Sequence, residues 1–529
     1  MSDVIVVGSG PGGANAAAAL IERGCRVRMI DYGNQDTHYA PLIPELPFRE
    51  LRRGDPHQHR YLLGDRYEGI PLGPVRVGAQ LTPPRMYVLA SARENIPVDA
   101  PGMSLSMSLG RGGLGAAWSA GIFPFTADEL RDTGLAMEEL QPYYAEVYDR
   151  VGVCGAQDDL APFFPSAPSM MPPLELDAGT GRIAARYARR RHLLNRRGFF
   201  LGRARLAVCT RPFRGRGPCD YSDMEYWADF RRAVYRAQWT VDELEAKPGF
   251  TYLPRLLVER FRETEEGVAV EVRQADGGGR ETLQARALVL AAGTLSTARL
   301  VLRSLACPGR AVPMLCNAYT YVPMLNTGML WRPWRDRRSS LAQLTALLKL
   351  PEGRLVQSQV FSYRSLLTFK LMKELPLGLR DSRLLLQHLI PSLAILGIHH
   401  EDRPSPAKTC ILLPADPDRL EVSYEPAAAE VLRQRADEKR LLSCFLRLGC
   451  LPLKTIRPGH GASIHYAGTF PMTPEDRPLT CDTDGRLRGT RRVYLADGSF
   501  FPWLPPKGLT FNIMAHASRV GALLAGRLR

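Results

Sequence analysis

Two stretches at opposite ends of this 529-residue chain carry residue types suited to chemistry. Near the C-terminus, His465 stands in Ile464-His465-Tyr466-Ala467-Gly468-Thr469, and an Ala496-Asp497-Gly498-Ser499 turn follows. An imidazole with a pKa near neutrality can take a proton from a hydroxyl group. Near the N-terminus, Gly8-Ser9-Gly10-Pro11-Gly12-Gly13 has the spacing of a dinucleotide-binding turn. In such a turn Gly8 permits the tight bend, Gly10 lets the backbone approach a pyrophosphate, and Gly13 lets the next helix pack closely. The helix N-terminus then stabilises the phosphates. Asp31, 18 residues beyond Gly13, is placed to accept hydrogen bonds from a ribose. A second glycine-rich run, Ser108 to Ser119 around Gly112-Gly113, again brings backbone close to something flat or charged.

The elements that must position these residues follow from periodicity. Asp3 to Val7 reads as a buried strand, Ala14 to Arg23 as an alanine-rich helix, and Cys25 to Ile30 as a second strand, giving strand, glycine loop, helix and strand in about 30 residues. Strands return at Tyr252–Phe261 and Val268–Gln274, joined to the next by a turn at Asp276-Gly277-Gly278-Gly279. Ala287 to Gly293 is a buried strand entering a turn, Leu295 to Leu305 a helix, and Leu509 to Leu528 a closing helix. Glu138 to Gly152 is helical with an apolar stripe, and Arg182 to Arg197 is a basic helix with a solvated face. Residues 39–101 are irregular, and the pattern from about 310 to 460 is hard to read. Ser362 to Ile398 reads as a pair of helices covering a sheet, or as an amphipathic surface resting on a membrane.

Composition narrows the class. Hydrophobic residues at 45% and charged residues at 23% describe an ordinary globular protein. Its length allows two or three domains and a large core. The net charge of +15 arises mainly from arginine, since only eight of the 69 basic residues are lysines, and no aromatic-interleaved basic patch accompanies it. Nucleic acid is therefore not an expected partner. The ten cysteines have no paired spacing for disulfides or a zinc site, and Cys219 stands alone, so no metal is expected. The chain opens on a strand, leaving no room for a signal peptide, and the run Leu384–Ile398 is too short and interrupted to span a bilayer. The expected location is cytoplasmic, with weak association to the inner membrane face as a second reading.

Taken in order, four segments resemble the glucose–methanol–choline (GMC) oxidoreductases, FAD enzymes that oxidise alcohols. They are the Gly8-Gly10-Gly13 loop with Asp31, the loop at Gly112-Gly113, the Leu288–Arg299 strand-turn-helix, and the block from His465 onward. The resemblance implies an α/β fold, with a Rossmann-like FAD-binding domain interleaved with a substrate-binding domain of antiparallel sheet plus helices. It places the FAD domain in 1–45, 102–130, 205–310 and 475–529, and the substrate domain in 46–101, 131–204 and 311–474. It implies an extended FAD with Gly8, Gly10 and Gly13 at the pyrophosphate and Asp31 at the ribose. Val258, Ala292 and Gly293 would lie by the adenine. Gly113, Trp118 and Ser119 would lie along the ribityl and isoalloxazine end, and Asp497 and Gly498 at the pyrophosphate or ribityl chain. His465 would take the hydroxyl proton while a hydride passes to flavin N5, and the helix after Thr510 would face flavin N1/O2.

One departure stands out. The second catalytic His or Asn of such enzymes falls on Gly508 here, within Pro506-Lys507-Gly508-Leu509-Thr510-Phe511-Asn512. Lys507 is the candidate for holding an alkoxide or anionic substrate, and Asn512 for hydrogen bonding to flavin O2 or N3. His516 is read as a packed helix residue. The substrate implied is an alcohol, sugar, carbohydrate intermediate or hydroxylated natural product. Arg332, Arg335 and Arg338 near Trp331 and Trp334 would suit a phosphorylated or lipid-linked donor. The electron acceptor stays open among oxygen, a quinone and a carrier protein. The change at Gly508 also leaves room for a non-redox flavoprotein, an isomerase or lyase, and Leu366–Ile398 for a membrane-associated flavin-binding protein.

Overall fold

The computed structural model describes residues 2–70, 81–165, 167, 169–221, 229–332, 336, 338, 341–362, 372 and 375–529. Its first layer grows from the N-terminal strand Ser2–Val7, which is apolar on both faces and so needs cover on both. Parallel strands flank it in the order Phe250–Leu253, Val27–Ile30, Ser2–Val7, Arg280–Leu290, Val493–Leu495. The long strand Arg280–Leu290 pairs through its first half with the antiparallel strand Val268–Gln274, which continues to Leu256–Glu263. The helix Pro11–Glu22 begins with proline at its first turn, where a missing N–H costs nothing. It packs against the C-terminal helix Thr510–Leu528 so closely that a Cβ on Gly521 would sit 2.7 Å from the Ala16 carbonyl oxygen.

The second layer is the region that periodicity left unread. Six antiparallel strands run in the order Cys450–Pro452, Tyr319–Asn326, Leu393–His399, Leu355–Ser362, Leu344–Lys349, Phe199–Arg203. One face is apolar, with Val322, Met324, Ala346, Val360 and Leu396 buried against Ile183 and Tyr187 of the helix Ala178–Asn195 and Leu441 and Phe445 of the helix Ala428–Arg447. The other face turns toward the first layer. Where two helices were expected across Ser362–Ile398, the described part is a helix, Leu379–Leu389, and then the strand Leu393–His399, separated by Pro391. Lys370 and Lys373 of that stretch lie outside the described residues. No helix among the described residues is long and apolar enough to cross a membrane.

Candidate active site

One cavity of about 510 Å³ runs between the two layers, along the C-terminal ends of the parallel strands. Gly8, Gly10, Asp31, Gly113, Trp118, Ser119, Val258, Ala292, Gly293, Asp497, Gly498 and His465 all line it, bringing residues from both ends of the chain to one wall.

The cofactor side is built from backbone proximity. Gly8 has φ +97°, and a Cβ there would lie 2.5 Å from the Ala291 carbonyl oxygen. Gly13 lies behind the lining: its own Cβ would fall 1.8 Å from the Gly8 carbonyl oxygen, so helix and turn can pack only without it. Ser9 joins the two glycine loops, donating from Oγ to Asp31 Oδ2 while accepting from the Gly112 amide at 2.8 Å. Tyr252 donates to the same Asp31 oxygen at 3.0 Å. Burial raises the Asp31 carboxyl to about 6 against the opposing pull of these donors. Asp497 caps the far turn, accepting from the Gly293 amide at 3.0 Å and the Ser499 amide at 3.0 Å. Trp118 is fixed by its indole N–H, which donates to the Tyr235 carbonyl oxygen at 2.7 Å.

The opposite end of the cavity is built from side chains. A two-residue antiparallel bridge, Leu315–Cys316 with Tyr466–Ala467, sets Asn317 beside His465. Asn317 is fully committed: Nδ2 donates to the carbonyl oxygens of His400 (2.6 Å) and Pro505 (3.0 Å), leaving Oδ1 to face His465 Nδ1 at 3.1 Å. An amide oxygen only accepts, so the network assigns the proton to His465 Nδ1 and a free lone pair to Nε2. Burial lowers the His465 imidazole to about 4, which keeps it neutral, with Nε2 unprotonated, at pH 7. The residue before it, Ile464, holds φ +60°, a strained setting for a β-branched side chain that fixes where the histidine projects. Behind Asn317, a buried ion pair anchors the bridge: Lys408 binds Asp402 at 2.6 Å, and Asp402 accepts from the Cys316 amide at 2.7 Å.

The sheet supplies the wall facing His465. Tyr319 pairs with His399 and His399 with Gln357, so the three stand in one row across three strands. Tyr321, Gly397 and Gln359 form the next row. All but Gly397 line the cavity, and a Cβ at Gly397 would fall 2.9 Å from the Tyr319 hydroxyl. Gln357 Oε1, Gln359 Nε2 and His399 Nδ1 are buried without a hydrogen-bond partner among the described residues. None of these side chains was singled out from sequence. The alternations Tyr319-Thr320-Tyr321 and Gln357-Ser358-Gln359, each repeating one residue type on one strand face, were the available signals, with the adjacent pair His399-His400 beside them.

Three sequence expectations need correction. Lys507 does not reach the cavity: its buried ammonium pairs with Glu129 at 2.7 Å and donates to the Phe163 carbonyl oxygen at 2.7 Å. Asn512 is also spent within the protein, donating to Phe123 O at 2.9 Å and accepting from the Phe125 amide at 2.9 Å and the Tyr144 hydroxyl at 2.6 Å. Both side chains fasten the segment Phe123–Glu129 beneath Gly508, where a Cβ would lie 3.1 Å from Phe123 Cδ2 and 4.0 Å from His465 Cε1. Arg338 is paired with Asp336 (2.9 Å) and Glu175 (3.1 Å), neither it nor Arg332 lines the cavity, and Trp334 and Arg335 lie outside the described residues. His516 is packed as expected, its ring 4.0 Å from that of Phe500.

The GMC oxidoreductase family model matches residues 423–517, the stretch holding His465, Asp497 and Gly508. Paromamine 6'-oxidase of Streptomyces fradiae is 24% identical over 99% of this chain and 92% of its own length. Among solved structures, pyridoxine 4-oxidase from Mesorbium loti superposes with TM-score 0.60 at 15% identity, covering 99% of both chains. The R554A formate oxidase of Aspergillus oryzae RIB40, a study of FAD modification, superposes with TM-score 0.60 at 12% identity over 99% of this chain and 98% of its own. The chain is thus similar to the GMC oxidoreductases, FAD-binding flavoproteins, in its C-terminal block by sequence and along its whole length by fold. The cavity fits that cofactor: its glycine loops leave no Cβ between backbone and ligand, and a carboxylate sits at the strand end where a ribose belongs.

Proposed function

We propose that this GMC-type oxidoreductase oxidises a hydroxyl of a sugar-like or otherwise hydroxyl-rich small molecule, with His465 as the proton acceptor. The observation that carries this reading is the Asn317–His465 hydrogen bond, which leaves Nε2 as the basic nitrogen on a cavity wall. FAD, bound along the glycine loops with Asp31 toward its ribose, supplies the acceptor for the carbon-bound hydrogen. The hydroxyl proton passes to His465 Nε2, and Asn317 stabilises the imidazolium by accepting from Nδ1 throughout. Gly8, Gly10, Gly113, Asp497 and Gly498 support a role in holding the pyrophosphate and ribityl chain, Val258, Ala292 and Gly293 the adenine, and Trp118 and Ser119 the ring end.

The substrate class follows from the wall. Among the described residues, the polar cavity side chains near His465 are tyrosine, glutamine, serine and histidine. The charged lining residues are Asp31, Arg299 and Asp497, of which Arg299 is paired to Asp418 and Asp497 is capped by amides. Buried amides without protein partners suit hydroxyl groups, which both donate and accept, better than a phosphate. This reading favours an unphosphorylated polyol or sugar ring over a phosphorylated donor.

The test is an anaerobic panel of glucose, sorbitol, pyridoxine and paromamine against the purified yellow protein, read as flavin bleaching. In His465→Ala the bleaching rate is expected to fall by about 10²–10⁴-fold with FAD content unchanged. An unchanged rate in that variant, or no bleaching by any hydroxylated compound with the wild type, overturns the reading. Readmitting air to the bleached sample separates an oxidase from a dehydrogenase.

A further inference from the structure

We propose that His399 supplies the second polar contact to the reacting hydroxyl oxygen, from the sheet side, where Gly508 offers no side chain beside His465. The proposal rests on the oxidative reading above. Gly508 carries no side chain, and a Cβ there would meet the apolar Phe123 ring at 3.1 Å and His465 at 4.0 Å. The function that a polar side chain would perform there has to come from another wall. His399 ends the strand Leu393–His399 and lines the same cavity. Its ring lies nearly parallel to that of His465, with centroids 5.1 Å apart and 22° between planes.

Three features separate His399 from a histidine that merely packs. First, Nδ1 has no hydrogen-bond partner among the described residues, so no protein hydrogen bond accounts for the ring, which lines the cavity and is only partly buried. Second, its position is held from three sides: the Tyr319 ring lies tilted against it with centroids 4.8 Å apart, Gln357 stands opposite in register, and the His465 ring stacks on it. Third, the groups facing it keep it uncharged. Burial, with His465 and His400 nearby, holds its imidazole well below the usual range. A neutral imidazole has one donor and one acceptor nitrogen. His465 Nε2 is assigned the acceptor role, so His399 would donate to the same oxygen and stabilise the negative charge that grows as its proton leaves. No bond forms or breaks at His399. It is a hydrogen-bond donor, and the proton goes to His465.

The experiment compares three variants in the anaerobic reduction assay, using the panel compound that bleaches the wild type fastest. His399→Phe preserves the stacked ring and its burial but removes both nitrogens. It is expected to slow flavin reduction by about 10²-fold, with the loss in kcat rather than KM and with FAD content and thermal unfolding unchanged. His399→Gln restores a donor and should recover at least about tenfold of that loss. His465→Ala is the control. If His465→Ala is as fast as the wild type, the oxidative reading fails. If His465→Ala is slow while His399→Phe reduces at the wild-type rate, or loses only KM, then the oxidative reading stands and the role of His399 is overturned. Equal rates for the Phe and Gln variants also overturn it, since the loss would then not follow a donor.

Discussion

The two walls of the cavity are made in opposite ways. On the parallel-sheet wall, atoms are brought together by removing side chains: the Gly8 turn, the Gly13 helix contact and the Gly112-Gly113 loop meet backbone to backbone, with Ser9 joining them. On the antiparallel wall, specificity lies in side chains, Tyr319, His399, Gln357 and Gln359, set in rows by strand register. The first wall has no room for a Cβ at Gly8 or Gly13, whereas the second can be altered by exchanging one polar atom for another. On the proposed reading, cofactor binding would depend on close backbone approach and substrate recognition on strand register.

That contrast can be broken most sharply at Asn317. Asn317→Ala leaves both walls standing but frees the His465 tautomer, and flavin reduction is expected to drop about 10–100-fold, as for loss of a partner that orients a reactive group. Stopped-flow traces at saturating substrate measure it, and a rate within twofold of wild type would remove Asn317 from the mechanism. On the backbone wall, Gly13→Ala must displace the Gly8 carbonyl, at a cost of about 1–3 kcal/mol. It should lower both the thermal midpoint and the FAD retained through gel filtration, while the protein that keeps FAD turns over normally. On the side-chain wall, Gln359→Leu should do the reverse. FAD content stays at wild type and KM rises by about 5–30-fold, the worth of one to two hydrogen bonds to a substrate hydroxyl.

The smallest expected effect is on pH. His465 is held at about 4 when folded, against an ordinary value of 6.5. The basic form is therefore present throughout the neutral range, and the reduction rate should be flat from pH 6 to 8. It should fall as pH drops through about 4. The unfolded chain takes up a proton near 6.5 that the folded one refuses, so this histidine also weakens the fold as pH falls from 6.5 toward 4. A reduction rate that halves near pH 6.5 would show that His465 is more solvated than its surroundings imply.

Legibility in the sequence tracked this division. The Gly8–Gly13 turn, Asp31 and the strands around them were readable because every interacting residue of the motif lies within about 30 positions. His465 and Asp497 were readable through an ordered resemblance. The stretch from 310 to 460 was not, because its strands are short, their polar faces break the apolar signal, and Pro391 divides what looked like one apolar run. Lys507 and Asn512 misled for a related reason: their positions next to Gly508 were visible, but the direction of their side chains was not. Glu129, Phe163 and Tyr144, hundreds of residues earlier, claim them.

By itself, then, the sequence determined the backbone-built half: a dinucleotide turn, its acidic strand end, and a histidine block at the other end of the chain. These are set by local sterics, since glycine spacing dictates which turns and contacts are possible. Tertiary structure alone decided the tautomer of His465, the withdrawal of Lys507 from the cavity, and the meeting of His399 with His465. Each depends on strand register and on hydrogen-bond partners far apart in the chain, and a register is an outcome of packing the whole sheet.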